Sequence, residues 1–285
     1  MGGNRQLGRH LVQAFRRADH AVTCLARGTQ PVPAGVRFLQ ADRDRADALG
    51  EAARHRWDAV VDLATAPGRV RRAVTELEAD HWLYVSSISA YRRGDVLEQD
   101  ESSPVHAPPL GAEALSGVED YGPAKVACED VLVPDDPDFP VAMIDVKDLA
   151  VWMVRCAERR LAGTFNATGP TVALRDTLEA ARRVAARTAA GVPGGPARAV
   201  PPQRLLDEGI GPWMGPDSLP WWIPVPRMRH TATAGTLRAR ENGLVCRPLE
   251  ATLADALAFE ESRGGPVGAG LGDATERRIR ASLEG

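Results

Sequence analysis

The chain predicts an α/β fold, a doubly wound parallel sheet followed by a smaller C-terminal substrate or cap region. Three observations carry this expectation. Apolar runs of strand length alternate with helical periodicity through residues 1–150, which argues for parallel strands joined by helical crossovers. A glycine-rich turn, with Gly2, Gly3 and Gly8, runs directly into a helical pattern. The run Trp82-Leu83-Tyr84-Val85 ends in Ser86-Ser87, which places hydroxyls at the carboxyl end of a strand. In open α/β sheets, ligands bind at that end.

Taken in order, each element has a reason. Glycines let a backbone approach a pyrophosphate, and the helix running to Arg17 turns its amino end toward that charge. No apolar strand precedes Gly2, so a tail with a helix cap is the competing reading. Ala21–Leu25 reads as a strand ending at Ala26-Arg27-Gly28. An acidic residue at this strand end holds a ribose 2′-hydroxyl, whereas an arginine suits a 2′-phosphate. Arg27 therefore favours NADP over NAD, against the alternative of a solvated arginine in a turn. Val36–Asp42 is a third short strand, Asp47–Arg56 reads as a helix, and Trp57–Ala64 as a fourth strand. Gly68–Ala79 is helical again and leads into the serine-bearing strand.

Beyond a polar loop, Tyr121-Gly122-Pro123-Ala124-Lys125 opens another helical pattern. Residues four apart share a helix face, so Tyr121 and Lys125 are neighbours. A nearby ammonium lowers the tyrosine pKa from about 10. Ser87 would hold a carbonyl or hydroxyl oxygen while Tyr121 moves its proton. The chain has three tyrosines and two lysines, so the spacing is not commonplace. The competing reading is a surface tyrosine beside a Lys125–Glu129 helix pair.

The second half reads as a smaller region, 151–285, following a dinucleotide-binding domain over 1–150. Asp148 is expected to cap a helix over Leu149–Arg160, and Arg175–Arg187 is a further helix. Ala190–Pro202 has linker character, Gln203–Gly209 is a short helix, and Thr231–Asn242 and Leu249–Arg263 are helical. Gly264–Gly272 reads as a surface loop before a terminal helix around Glu276–Arg280. Trp213, Trp221 and Trp222 stand among prolines, as packing between cap and sheet or as an aromatic substrate wall.

Composition bounds the class. A chain of 285 residues buries a substantial core, and a formal charge of −3 exerts no pull toward nucleic acid or anionic membrane. Cysteines at 24, 128, 156 and 246 lie in apolar runs without metal-ligand spacing, and read as small buried hydrophobes in a reducing compartment. No signal peptide and no run long enough to span a bilayer is visible, so the expected location is the cytoplasm.

The order Gly-rich turn, Arg27, Asp42, Asp62-Leu63-Ala64, Ser87 and Tyr121xxxLys125 resembles the extended short-chain dehydrogenase/reductases. It is most similar to their actinobacterial NAD-dependent epimerase/dehydratase-type members, and Phe139–Ala150, Gly163–Gly169 and Cys246–Leu249 extend the likeness. The resemblance implies a Rossmann-like fold and a nicotinamide cofactor, with Ser87, Tyr121 and Lys125 as catalytic positions. It also implies cofactor contacts at Gly2, Gly3, Gly8, Arg27 and Asp42, in the turn Leu63, Ala64 and Thr65, and at Ser86. It implies action on a hydroxyl or ketone of a small molecule, either a nucleotide sugar or a secondary metabolite. The second reading is a family remnant that serves as a binding or structural protein. A homodimer is left open.

The chain departs from the pattern at three places. Arg5 stands at the middle glycine, the first strand is absent, and only Leu132–Pro140 separates the Tyr121 helix from Val141. The expectation is that Ala21–Leu25 pairs directly with Trp57–Leu63, which would draw the Gly2–Gly8 loop away from the pyrophosphate, or that the sheet splits.

Overall fold

In the computed structural model, the described residues are 1–2, 6–45, 47–106, 132–187, 198–213, 215–262 and 270–284. Helix α1 (Gln6–Arg17) buries Gly8, Leu11 and Val12 on one face and leaves Arg9, Arg16 and Arg17 outside. It ends where Asp19 takes a left-handed φ of 61° and His20 donates its backbone N–H to Phe15 O at 3.0 Å. Strand β1 (Thr23–Ala26) then pairs in parallel with β2 (Arg37–Gln40), Cys24 opposite Phe38. Strand β3 (Arg56–Trp57) precedes β4 (Val60–Asp62), and helix α2 (Pro67–Glu76) starts with proline in its first turn. Strand β5 (Glu78–Ala79) pairs in parallel with β3, and β6 (Trp82–Tyr84) with β4.

The remaining strands are β7 (Leu132–Pro134), β8 (Pro140–Ala142), β9 (Thr171–Ala173), β10 (Arg198–Val200), β11 (Gly211–Pro212) and β12 (Ser218–Leu219). Among them run helices α3 (Val146–Glu158), α4 (Leu174–Ala185) and α5 (Pro202–Asp207). Helices α6 (Leu237–Glu241), α7 (Leu249–Ser262) and α8 (Asp273–Glu284) follow. Strand β8 pairs antiparallel with β9, and β7 pairs in parallel with β10. The fold is α/β and Rossmann-like, with helices packed around short, mostly parallel ladders.

Several expectations are corrected. Instead of the helix expected over Asp47–Arg56, residues 47–55 make turns and one short 3-10 segment, Ala52–Arg54, and Arg56 opens β3. Arg-rich and without a wide apolar stripe, the segment commits only Leu49 and Ala52 to the core. The expected strand Trp57–Ala64 is broken at Asp58-Ala59, because Trp57 and Val60 join different partners. The helix cap before α3 is Asp145, which accepts from Lys147 N at 2.8 Å, whereas Asp148 lies within the first turn. The Thr231–Asn242 helix shrinks to Leu237–Glu241, because Gly235 lies against the backbone of Glu98 and Gln99. Arg198–Val200, read as linker, is a strand.

The sheet does split: among the described residues, no ladder joins β1 to β4. Met1 and Gly2 bridge the two parts, the α-amine donating to Val61 O and Gly2 N to Leu25 O at 3.0 Å. Beside them, a cavity of about 130 Å³ is lined by Thr23 and Cys24 of β1, Val61 of β4, and Leu11 and Phe15 of α1. The glycine turn is thus anchored to both strands. Packing continues in distinct clusters, with Leu25, Leu39, Leu49 and Leu77 around β1, β2 and α2. Leu11, Trp152, Met153 and Cys156 join α1 to α3. Leu205, Ile210, Trp222 and Ile279 hold the C-terminal part. Each such side chain contributes about 1.5–3 kcal/mol by full burial.

Candidate active site

The carboxyl ends of β4 and β6 lie side by side in their parallel ladder, and Met1 and Gly2, bonded to Val61 O and Leu25 O, bring the end of β1 beside them. Gly2 stands there at φ +85°, and a Cβ in its place would lie 3.4 Å from Leu63 Cβ. Glycine is needed for the backbone angle, and it leaves the turn open to a bulky anion. Gly8 is buried where α1 meets the strands. These residues fit the pyrophosphate position of a dinucleotide cofactor, with α1 as the favourable dipole.

The turn Leu63-Ala64-Thr65 is fixed from beneath by an ion pair. Asp62, 0% exposed, accepts from Ala64 N at 3.0 Å and from Arg43 through both guanidinium nitrogens, at 2.7 and 3.0 Å. Arg43 also donates to Arg69 O, which ties the end of β2 to α2. A buried aspartate needs such a partner, because an uncompensated charge in the interior costs several kcal/mol. The sequence reading singled out Asp42 and passed over its neighbour Arg43. The signal was an arginine adjoining a strand end opposite an interior aspartate.

Asp42 accepts from Asp44 N at 3.2 Å, closing a turn just after β2. Arg27 is exposed, and its carbonyl accepts from Gln40 Nε2 at 3.0 Å. Asp44 is clasped by Arg69 at 2.6 and 2.8 Å, and this contact holds its carboxyl below the usual range, aided by the charges of Arg27 and Arg72.

Ser86 and Ser87 follow β6 and are exposed. Ser87 Oγ accepts from Ser89 N at 3.1 Å, capping a short 3-10 turn. With its lone pair engaged, the hydroxyl hydrogen is directed elsewhere and can be donated to a ligand oxygen. Gly3, Tyr121, Lys125 and Cys128 lie outside the described residues. Tyr91 is buried and donates to Asn166 Oδ1 at 2.7 Å, and Asn166 N donates to Glu101 at 2.7 Å. Burial raises its pKa. Cys24 and Cys156 are buried and Cys246 is half-buried; burial pushes the Cys156 thiol up to about 11, which makes it inert.

A second cavity, of about 350 Å³, opens at the amino ends of α1 and α3. Leu7, His10, Ile144, Trp221, Leu253 and Asp255 contribute to its wall. Of the tryptophans, Trp222 is buried in packing, while Trp221 lines this cavity.

Comparison with known proteins agrees with this arrangement. Residues 1–82, which carry the glycine turn, β1 to β5 and the Asp62 turn, match the NAD dependent epimerase/dehydratase family. The expected resemblance is borne out over these residues, and the family's description names NAD. The chain is similar to a candidate epimerase from Burkholderia cenocepacia J2315, at 17% identity and TM-score 0.65, covering 90% of this chain and 95% of that one. It is also similar to the UDP-glucose-4-epimerase of Stenotrophomonas maltophila, solved with NAD and formylated UDP-arabinopyranose. There the identity is 17% and the TM-score 0.61, over 92% of this chain and 97% of that one. At such identities the fold is what is shared. No curated protein matches the chain in sequence. Among the described residues, no helix is long and apolar enough to cross a membrane.

Proposed function

We propose that the chain is a nicotinamide-dependent enzyme of the epimerase/dehydratase type, acting on a hydroxyl or ketone of a small molecule. The observation that carries this reading is the convergence of Gly2, the Asp62-anchored turn and the Ser87 hydroxyl at one strand-end face, within and beside the segment matching the family. Gly2, Gly8 and the amino end of α1 hold the pyrophosphate; Asp42 and Arg27 flank the adenosine ribose. The nicotinamide, when bound, supplies the hydride acceptor or donor.

The protein's own part is proton handling. Ser87 donates to the reacting oxygen, Tyr121 exchanges a proton with it, and Lys125 lowers the Tyr121 pKa and holds the ribose. Arg27, exposed just beyond β1, favours NADP over NAD. Titration calorimetry with NADPH and NADH tests cofactor binding, and absence of binding to either refutes the enzyme reading. Tyr121→Phe should lower turnover by about 10²–10⁴-fold while leaving cofactor affinity unchanged. Retained turnover would remove the tyrosine from the chemistry.

A further inference from the structure

We propose that Arg43 and Asp62 are positioning residues: their buried ion pair holds the two parts of the split sheet in the register that the cofactor bridges, and it serves cofactor affinity rather than folding. The proposal rests on the enzyme reading above.

Under that reading the cofactor draws its contacts from both parts. Arg27 and Asp42 follow β1 and β2, whereas the Leu63-Ala64-Thr65 turn and Ser87 follow β4 and β6. No ladder joins these parts among the described residues, so other contacts set their relative position. Met1 and Gly2 supply backbone bonds, to Val61 O and Leu25 O. Ala73 and Leu77 pack α2 onto Leu25 and Leu39, but apolar packing has no direction. Arg69 and Asp44 also reach across, yet their side chains are 33% and 62% exposed, and a pair so wet holds little. The Arg43 and Asp62 side chains are only 11% and 1% exposed, and the guanidinium fork fixes both carboxylate oxygens at once.

Asp62 Oδ1 accepts from Arg43 Nη1 at 2.7 Å and also from Ala64 N at 3.0 Å. The guanidinium therefore sets the rotation of the carboxylate that holds the turn. Leu63 of that turn lies against Gly2, so a shift in one turn reaches the other. As a device for stability the pair is poor. Arg43 Nε is buried with no hydrogen-bond partner among the described residues, so part of the lost hydration is never replaced. Buried ion pairs are often exchanged for apolar side chains without loss of stability. Apolar side chains cannot supply direction, and direction is what two turns facing one ligand require.

The test is fluorescence titration of the full chain with NADH and NADPH, beside its melting temperature. Arg43→Met alone leaves Asp62 uncompensated and should melt lower. Arg43→Met with Asp62→Leu removes both charges and should melt above that single variant, while both cofactors bind about tenfold more weakly. Arg43→Lys keeps the charge without the fork, so it should fold and weaken both cofactors about three- to tenfold. A pair that served only folding would regain affinity along with stability. Recovered affinity in the double variant, parent affinity in Arg43→Lys, or weakening confined to NADPH would each overturn the proposal alone. If the unaltered chain binds neither cofactor, the enzyme reading falls and the proposal with it.

Discussion

Arg247 and Asp148 form a clamp between two helix starts. Arg247 Nη2 lies 2.7 Å and Nε 3.0 Å from Asp148 Oδ1, while the Arg247 backbone N–H donates to Oδ2 at 2.8 Å. The same guanidinium reaches the N-cap Asp145 and Asp255 of α7. Removing it strands Asp145, which is 4% exposed, without its ion partner. Arg247→Gln should therefore cost about 3–5 kcal/mol, read as a lowered urea midpoint at unchanged slope. A loss under about 1 kcal/mol would show that the clamp is dispensable.

The clamp also sets an acid limit. Burial raises the Asp148 carboxyl, but the hydrogen bonds and charge of Arg247 outweigh it and hold the group below its usual range. Its contribution is fully present above the unfolded value near ~3.9 and is lost as pH falls through the lower folded value. Asp145 runs the other way: burial raises it, so its ionisation opposes folding as pH climbs from ~3.9 through its folded value. Asp148→Asn should flatten the loss of stability below pH ~4, measured by urea titration at a series of pH values. An unchanged acid limb would assign the limit to other groups.

Arg27→Ala should lower NADPH affinity about ten- to a hundredfold and leave NADH affinity unchanged, the size of one charge-assisted contact at ~1.5–3 kcal/mol. Equal effects on both cofactors would argue against a 2′-phosphate at this arginine.

Gly169→Ala should be severe. A Cβ there would stand 1.7 Å from Met143 O, a backbone atom that cannot swing aside. The expected loss lies at or above the ~1–3 kcal/mol of ordinary overpacking, visible as a lower melting temperature or insoluble protein. A variant as stable as the parent would mean that the 143 and 169 segments separate easily.

Tyr91→Phe is the counterpart of Tyr121→Phe. It leaves Asn166 Oδ1 without its phenol donor in a buried position, at a cost of about 1–3 kcal/mol in stability with turnover per folded molecule unchanged. Loss of turnover without loss of stability would move Tyr91 into the chemistry.

What the sequence made legible were features set by near neighbours: the glycine turn, α1, β1, β2, the Ser86-Ser87 strand end, and the helices from Leu174, Pro202 and Leu249. Apart from the missing helix after Asp47, the errors share a cause: each was decided by a distant partner. Asp148 looked like a cap because its pull toward Arg247 is invisible along the chain. The break at Asp58-Ala59 follows from Trp57 and Val60 pairing with different strands. Arg43 gave no periodic signal, because its value lies in facing Asp62 across a crossover. The cavity at Trp221 draws its wall from α1, α3 and α7 together, and no local spacing joins those three.

The ladders also differ in how far along the chain their partners lie. Thr23 meets Arg37 and Val60 meets Trp82, whereas Leu132 must wait for Arg198. Closing a longer loop carries more entropy, and distant pairings slow the search for the native state. During synthesis, the amino-terminal ladders can therefore form while the β7–β10 pair still lacks its second strand. The last steps of folding belong to the carboxyl half, where Trp221 and the cavity wall take shape. A reporter placed in β7 or β10 should accordingly gain signal later in refolding than one placed in β1 or β2.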